Sequence, residues 1–311
     1  MNTLVTKVGK TAGFDRRATA GACVLLLLVL VALAAPLLAP DGPTATDVRL
    51  LAAPSGDHLF GTDGQGQDVF AQFVWGARSS LLMAAVVGTG TTVLAVAVGI
   101  FSAYVRGMGD ELISLLVNVV LTIPGLPLII VLAAFLPPGT GTIMLVLTVT
   151  GWAYGARVIR SQALTLRERD FVAASTVVGE RPLRTVFVEI LPNMWSVIAA
   201  FFFGQVVFAL TAGSALEFLG LGDAGTASWG TMLYWAQNDS ALLQGAWWTF
   251  TVPGLAIAAT AGGLTLVNFA IDRAAHPRLR ARSRIRRVAG APTPVVRCAI
   301  MPMNCCSMSG T

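Results

Sequence analysis

Charged residues are scarce in this sequence, and their scarcity excludes a soluble globular fold. They make up 12% of the 311 residues, whereas 55% are hydrophobic and the mean hydropathy is +0.73. An average soluble domain carries about 25% charged residues, because its surface has to interact with water. Too few charges are present here to cover such a surface, so most of the chain is predicted to lie in lipid.

Groups that carry catalysis or ion coupling are missing from the long apolar runs. No Asp, Glu, Lys or His lies near the middle of any run, which argues against an ion-driven transporter or a proton pump. The two histidines, His58 and His276, lie outside these runs, and no H-E-x-x-H occurs, so membrane-protease chemistry is not expected. The one G-K-T triplet has Leu4 where a phosphate-binding loop needs glycine. The chain is therefore predicted to be no enzyme and to hold no ATP, cofactor or metal.

Charge-free intervals give the membrane spans. Crossing about 30 Å of hydrocarbon takes roughly 20 helical residues, and the longest interval, 112–156, has room for two helices on either side of Pro137 and Pro138. Unpaired backbone groups are costly in lipid and the alternation of a β-barrel is absent, so the spans are predicted to be helical. The predicted fold class is an all-α integral membrane protein with six transmembrane helices, at roughly 19–38, 79–104, 112–136, 142–162, 194–216 and 247–271.

Lysine and arginine are distributed unevenly between the two sides of the membrane. With the N-terminus in the cytoplasm, 19 of the 21 basic residues lie inside, and only Arg49 and Arg78 lie outside, as the positive-inside rule expects. Both termini are therefore predicted to be cytoplasmic, and the basic pI reflects topology rather than nucleic-acid binding. The predicted regions are a cytoplasmic N-terminus (1–18), an anchor helix (19–38), an extracytoplasmic segment (39–78), a core of five spans (79–272) and a basic cytoplasmic tail (273–311).

Two features at the ends of the chain have alternative explanations. The first apolar run resembles a signal peptide in its flanking charges, but its length and the lack of a small-residue cleavage site before Pro36 favour a retained anchor. Six arginines between 278 and 287 fit an orientation anchor, which is favoured, or a contact with anionic membrane lipid.

Three of the four cysteines lie in the tail, where a reducing cytoplasm makes disulfides rare. The end of the tail is predicted to be disordered.

The cytoplasmic segment 163–193 has the pattern of two short helices. Gly179 is placed to end the first helix in a left-handed conformation, Pro182 to begin the second, and Pro192 to mark the turn into the fifth span. One face of the first helix is predicted to carry its apolar residues, which are Phe171, Ala174 and Val178. This face is too small for strong lipid binding, so docking to a partner protein is favoured.

The stretch RERDFVAASTVVGERPLRTVFVEILPN, 167–193, resembles the cytoplasmic coupling loop of binding-protein-dependent ABC importer permeases. Gly179 matches the glycine of the family pattern, Ile-Leu-Pro at 190–192 matches its end, and the family's usual glutamate falls on Ala173. The resemblance implies that the loop couples this chain to an ATPase. The residues that it assigns to the coupling loop are Arg167, Arg169, Asp170, Phe171, Val172, Ala173, Ala174, Ser175, Gly179, Leu191 and Pro192.

Three further segments resemble the dipeptide, oligopeptide and nickel branch of that family. HLFGTDGQGQDVFAQFVWGARSSL, 58–81, is similar to the branch's segment before span two, with Gln67 where arginine is usual. EFLGLGDAGTASWGTML, 217–233, is similar to its external segment, and NFAIDRAAHPRLR, 268–280, to its carboxyl end. The four motifs occur in the expected order over roughly 20–280 and match the second permease of the pair.

The resemblance implies a type I ABC importer permease in the bacterial inner membrane. Its implied partners are a second homologous permease, two cytoplasmic ATPase subunits that hold ATP and Mg²⁺, and an extracytoplasmic substrate-binding protein. The implied solute is a dipeptide or oligopeptide, with nickel chelate and haem as open alternatives. A channel or scaffold outside the ABC class is less favoured, because a pore needs a filter and no loop is predicted to re-enter the membrane. Short cytoplasmic loops argue against an exporter.

Few polar side chains lie at membrane depth. Asn118 and Gln205 are predicted either to face the solute pathway or to bond between helices, and these two alternatives are equally favoured. Phe208 is a candidate gate residue that fits a lipid-facing position as well. The span-two glycines, Gly88 among them, are expected to serve close helix packing.

Overall fold

The computed structural model describes residues 16–46, 49–105 and 107–275, and the regular structure in these ranges is helical. The packing described below lies within the large compact unit of the chain, which ends at Asp272. The helices are α1 (Arg16–Leu33), α2 (Ala35–Leu38), α3 (Val69–Tyr104), α4 (Met108–Thr122), α5 (Gly125–Phe135), α6 (Thr140–Arg167), α7 (Asp170–Val177), α8 (Pro182–Thr185), α9 (Leu191–Asn193), α10 (Trp195–Phe218), α11 (Trp229–Asn238) and α12 (Trp248–Ala275). A π-helical stretch, Val186–Ile190, lies between α8 and α9.

The all-helical membrane class is confirmed, whereas a count of six spans is not. Over the described residues, four helices are long and apolar enough to cross a membrane, and α4 with α5 makes a fifth if this bent pair is one span. The apolar part of α1, Ala18–Leu33, is a shorter helix that falls below this length. The four full-length helices are Val69–Tyr104, Thr140–Arg167, Trp195–Phe218 and Trp248–Ile271.

Two predicted helix boundaries are wrong. The second span was expected to begin at 79, but α3 begins at Val69 and has 36 residues. Its first turn is capped by Asp68, whose carboxylate accepts the Ala71 N–H at 3.1 Å. Arg78 does not interrupt this helix, because its side chain is exposed on the helix surface. The fourth span was predicted to end at 162, but α6 continues to Arg167.

The prediction of one uninterrupted helix over 112–136 is also wrong. α4 and α5 meet at an angle of 88° across Ile123 and Pro124. Proline has no N–H to donate and disfavours the helical conformation of the residue before it, so Ile123 is extended and α4 ends there. The pair is a broken span or a re-entrant segment. The predicted absence of a re-entrant segment is therefore not confirmed, and it does not argue against a channel.

Two apolar clusters hold the bundle together. The larger one contains Met83 of α3, Leu147 of α6 and Leu210 of α10, together with Trp229, which is fully buried at the start of α11. Close helix approach depends on glycine, since a Cβ on Gly99 would lie 2.8 Å from the Ala156 carbonyl oxygen of α6. Plain packing therefore accounts for the glycine-rich face of α3.

The smaller cluster joins the 163–193 segment to the bundle. It combines Ala103 of α3 and Ile159 of α6 with Val172, Ile190 and Met194. All five side chains are nearly or completely buried. The segment is therefore packed on the ends of α3 and α6.

Candidate functional site

The first limb of the 163–193 segment is α7, and Gly179 ends it as predicted. Gly179 has φ +82°, a left-handed conformation that glycine adopts without strain. The Glu180 N–H donates to the Ser175 carbonyl at 3.1 Å and the Val178 N–H to the Ala174 carbonyl at 3.1 Å. The first of these is the six-to-one bond of a Schellman motif, which satisfies a carbonyl at the helix end.

The two faces of α7 differ sharply in exposure. Val172 and Ser175 are buried against the bundle, and the Ser175 hydroxyl donates to the Val172 carbonyl of its own helix at 2.9 Å. Phe171, Ala174 and Val178 point away from the bundle, and Val178 is 81% exposed. The apolar face predicted from periodicity is therefore the exposed face. We call these three residues, with Val177, the outer face of α7.

The second limb begins at Pro182, as predicted, and returns to the bundle. Val186 and Ile190 are buried, whereas Phe187 is exposed. The stretch Val186–Ile190 is π-helical, and Pro192 follows it closely. Because proline lacks an N–H and crowds the preceding turn, a widened turn is the helical form that accommodates it. Pro192 lies inside α9, and the helical path is interrupted at Met194 rather than at the proline.

Among the charged side chains of the segment, Arg167 faces the bundle, whereas Arg169 and Asp170 face outward. The Arg167 Nη1 donates to the Ala103 carbonyl at 2.9 Å, and its guanidinium carbon lies 5.2 Å from the centre of the Tyr104 ring. Arg169 and Asp170 are exposed, and Asp170 stands in the first turn of α7, where the helix dipole favours a negative charge. Leu191 is partly exposed. Ala173 lies in α7, but its side chain is outside the described part of the chain.

The three candidate pathway residues have different surroundings. Asn118 of α4 is exposed and its Oδ1 accepts a hydrogen bond from Arg157 of α6, so it does bond between helices. Gln205 of α10 lies against Gly151 of α6, and its Oε1 is buried without a hydrogen-bond partner among the described residues. Phe208, on the same helix, is 37% exposed.

Sequence reasoning missed a buried carboxylate at the far end of the bundle. Glu217, at the end of α10, is 2% exposed and accepts a hydrogen bond from the Ser228 hydroxyl at 2.6 Å. Ser228 also caps α11, which places the Glu217 carboxylate at the N-terminus of that helix. The Trp229 N–H donates to the Ser80 hydroxyl at 3.1 Å and so ties α11 to α3. The capping box at Ser228 was the available sequence signal for this arrangement.

A second group of acidic residues lies where Asp63, in the segment before α3, comes near Asp239 at the end of α11. Asp63 is buried and accepts the backbone N–H groups of Gln65 and Gln67 at 2.9 and 2.7 Å. Burial, and secondly the nearby Asp63 charge, raise the pKa of Asp239 above its ordinary value, against a hydrogen bond from the Gly64 N–H. A cleft of about 290 Å³ opens beside this contact, lined in part by Gln72.

Comparison with known proteins places the chain in a transporter family. Residues 95–281 match the model of the binding-protein-dependent transport system inner membrane component, and residues 15–54 match the N-terminal transmembrane domain of oligopeptide transport permease C. The first match includes all of the 163–193 segment.

Curated relatives cover most of the chain. The dipeptide transport system permease protein DppC of Bacillus subtilis is 34% identical over 272 residues, which is 86% of this chain and 83% of the relative. The oligopeptide transport system permease protein OppC of the same species is 32% identical over 268 residues, 86% of this chain and 87% of the relative. A putative peptide transport system permease protein of Brucella suis is 32% identical over 262 residues, which is 84% of this chain and 87% of the relative. The chain therefore belongs to the family of binding-protein-dependent transport system inner membrane components, the ABC importer permeases.

Proposed function

We propose that this chain is the permease subunit of an ATP-driven importer for dipeptides or oligopeptides. The observation that carries the proposal is the outer face of α7, an apolar surface of Phe171, Ala174, Val177 and Val178 on a helix whose opposite face is buried. Apolar side chains exposed on a short helix outside the spans fit a groove on a partner better than they fit water. The named relatives supply the solute class, since they are dipeptide and oligopeptide transport permeases.

The proposed complex has four kinds of component. A second homologous permease forms the solute pathway with this chain, and a substrate-binding protein delivers the peptide from outside. Two cytoplasmic ATPase subunits hold ATP and Mg²⁺. ATP shifts the permease pair between its inward-open and outward-open states only through its different affinity for the two ATPase conformations. That difference is transmitted where the ATPase contacts the outer face of α7.

The proposed topology has six spans with both termini in the cytoplasm. α1 with α2 supplies the first span, and the bent pair α4–α5 supplies the third. The 163–193 segment then lies on the same side as most lysines and arginines, as the charge distribution favours. Asp63, Glu217 and α11 lie outside.

Uptake by a reconstituted complex tests this function. Proteoliposomes that contain this chain, its second permease, the ATPases and the binding protein are expected to accumulate radiolabelled dipeptide or oligopeptide. This accumulation should require ATP on the side of the membrane that carries the ATPases. Omitting this chain is the matched control and should abolish uptake. ATP-driven uptake of a nickel chelate or haem without any peptide uptake would replace the proposed solute, and conductance without ATP would indicate a channel.

A further inference from the structure

We infer that Arg167 is a positioning residue that fixes the 163–193 segment to the end of α3, so that α7 and the ends of α3 and α6 move as one body. This inference rests on the proposed function. It gives Arg167 a role different from that of the residues on the outer face of α7, because its side chain is directed into the chain rather than toward a partner.

Three attractions converge on the Arg167 guanidinium. Its Nη1 donates to the Ala103 carbonyl at 2.9 Å. Ala103 lies in the last turn of α3, where carbonyls have no partner in the helix and where the helix dipole favours a positive charge. The guanidinium also lies 5.2 Å from the centre of the Tyr104 ring, within the range of a cation–π interaction. One side chain at the start of the loop therefore holds the terminal turn of α3 through a hydrogen bond, the helix dipole and a cation–π contact.

The other limb of the loop packs on the same turn of α3. Ile190, the last residue of the π-helical stretch, is fully buried in the small apolar cluster with Ala103. The last turn of α3 therefore contacts both limbs of the loop.

Packing beneath these contacts makes the attachment stiff. Val172 and Ile190 pack in one cluster with Ala103 of α3 and Ile159 of α6. Closely packed side chains do not deform continuously, so a push on the outer face of α7 is passed on as a displacement of whole helix ends. Arg167 sets the angle at which α7 leaves α6, because only two residues separate it from the first residue of α7.

Lysine cannot reproduce this arrangement. The planar guanidinium stacks on an aromatic ring and donates from a fixed fork, whereas an ammonium group is a compact, strongly hydrated charge. Arg167→Lys keeps the charge, so it separates the geometry of the contact from its electrostatics. Tyr104→Phe keeps the ring face and removes a hydroxyl that is buried without a hydrogen-bond partner among the described residues, while Tyr104→Leu removes the ring.

The test is the number of solute molecules imported per ATP hydrolysed by the reconstituted complex. We expect Arg167→Gln to lower this ratio about tenfold, because a charged hydrogen bond and a cation–π contact are lost together, while the ATPases still co-purify. Tyr104→Leu should lower the ratio in the same direction, and the double variant should be no worse than Arg167→Gln alone. Arg167→Lys should be intermediate and Tyr104→Phe close to wild type. Thr165→Ala, an exposed change on the same helix, is the control and should be neutral.

Two results would overturn the inference. A wild-type ratio in both Arg167→Gln and Tyr104→Leu would show that the contact positions nothing. Loss of ATPase co-purification in Arg167→Gln would show that Arg167 binds the ATPase directly. If Arg167→Gln fails to insert, Tyr104→Leu alone decides by the same ratio. Failure of the wild-type complex to import any solute with ATP would instead contradict the proposed function.

Discussion

At the scale of single residues, Gly179 combines a left-handed conformation with free space. Its φ of +82° disfavours any residue with a Cβ, yet a Cβ built there would meet no atom within 4 Å. A substitution is therefore opposed by backbone strain and not by a clash inside the chain. Gly42 has the same φ and the same free space in the segment before α3, which provides a matched position away from the loop.

Gly179→Leu should abolish coupling without abolishing assembly. A left-handed backbone conformation costs a residue with a Cβ roughly 1 to 2 kcal/mol, so the end of α7 is expected to shift and the outer face to lose its fit. Peptide uptake per ATP should fall sharply, whereas Gly42→Leu should carry the same strain and leave the ratio unchanged. Gly179→Asn should be tolerated better, since asparagine adopts this conformation more readily. Uptake at the wild-type ratio in Gly179→Leu would remove the loop from the coupling mechanism.

Asp239 gives a pH-dependent prediction at the same scale. Burial and the Asp63 charge raise its folded pKa, so the folded protein holds this proton more tightly than the unfolded chain. The group therefore destabilises the fold above its folded pKa, and that cost disappears as the pH falls through the raised pKa toward the ordinary value of 3.8. Asp239→Asn should raise the thermal unfolding temperature at pH 7 to 8, and the difference should vanish in acid. An equal gain at every pH would contradict this account, with Asp223→Asn, an exposed change, as the control.

At the scale of helices, the bend between α4 and α5 has an identifiable cause. Pro124 stands at the break, whereas Pro127 lies in the first turn of α5, where proline is tolerated because the N–H of that turn has no helical partner. The two prolines lie three residues apart in one apolar run and differ in position relative to the break. They therefore make a matched pair.

Pro124→Ala should straighten the pair, and Pro127→Ala should not. Spin labels on Leu115 and Val131, both exposed, report the distance between the two helices by electron paramagnetic resonance. We expect a longer distance and reduced peptide uptake in Pro124→Ala, and wild-type values in Pro127→Ala. An unchanged distance in Pro124→Ala would mean that packing, rather than the proline, sets the bend.

Several helices could be predicted from the sequence and others could not, for physical reasons. The absence of charge between Glu189 and Glu217 predicted α10 closely, because span length is set by the membrane. The start of α3 was missed, because the Asp68 cap extends the helix beyond the apolar run. The bend at Pro124 was missed, because apolar periodicity does not register a change of direction. The buried face of α7 was also missed, since its narrow pattern allows either face to meet the bundle and tertiary packing decides.

At the scale of the whole molecule, topology is the property that every functional assignment depends on. Single cysteines at exposed positions test it in a chain whose four native cysteines are replaced. Ser55→Cys and Ala224→Cys should react with an impermeant maleimide on intact cells, and Val178→Cys should react only after the membrane is opened. Labelling of Val178→Cys on intact cells, with full labelling of all three in detergent, would reverse the orientation.

The most direct test of the central claim asks whether the outer face of α7 contacts an ATPase. A photoreactive amino acid replaces Phe171 or Val178 in the assembled importer, and Leu145, exposed on α6 within a predicted span, is the matched control. We expect cross-links to the ATPase subunit from both α7 positions, with a yield that ATP changes, and none from Leu145. An active, ATPase-bound complex that gives no ATPase cross-link from either α7 position would contradict it.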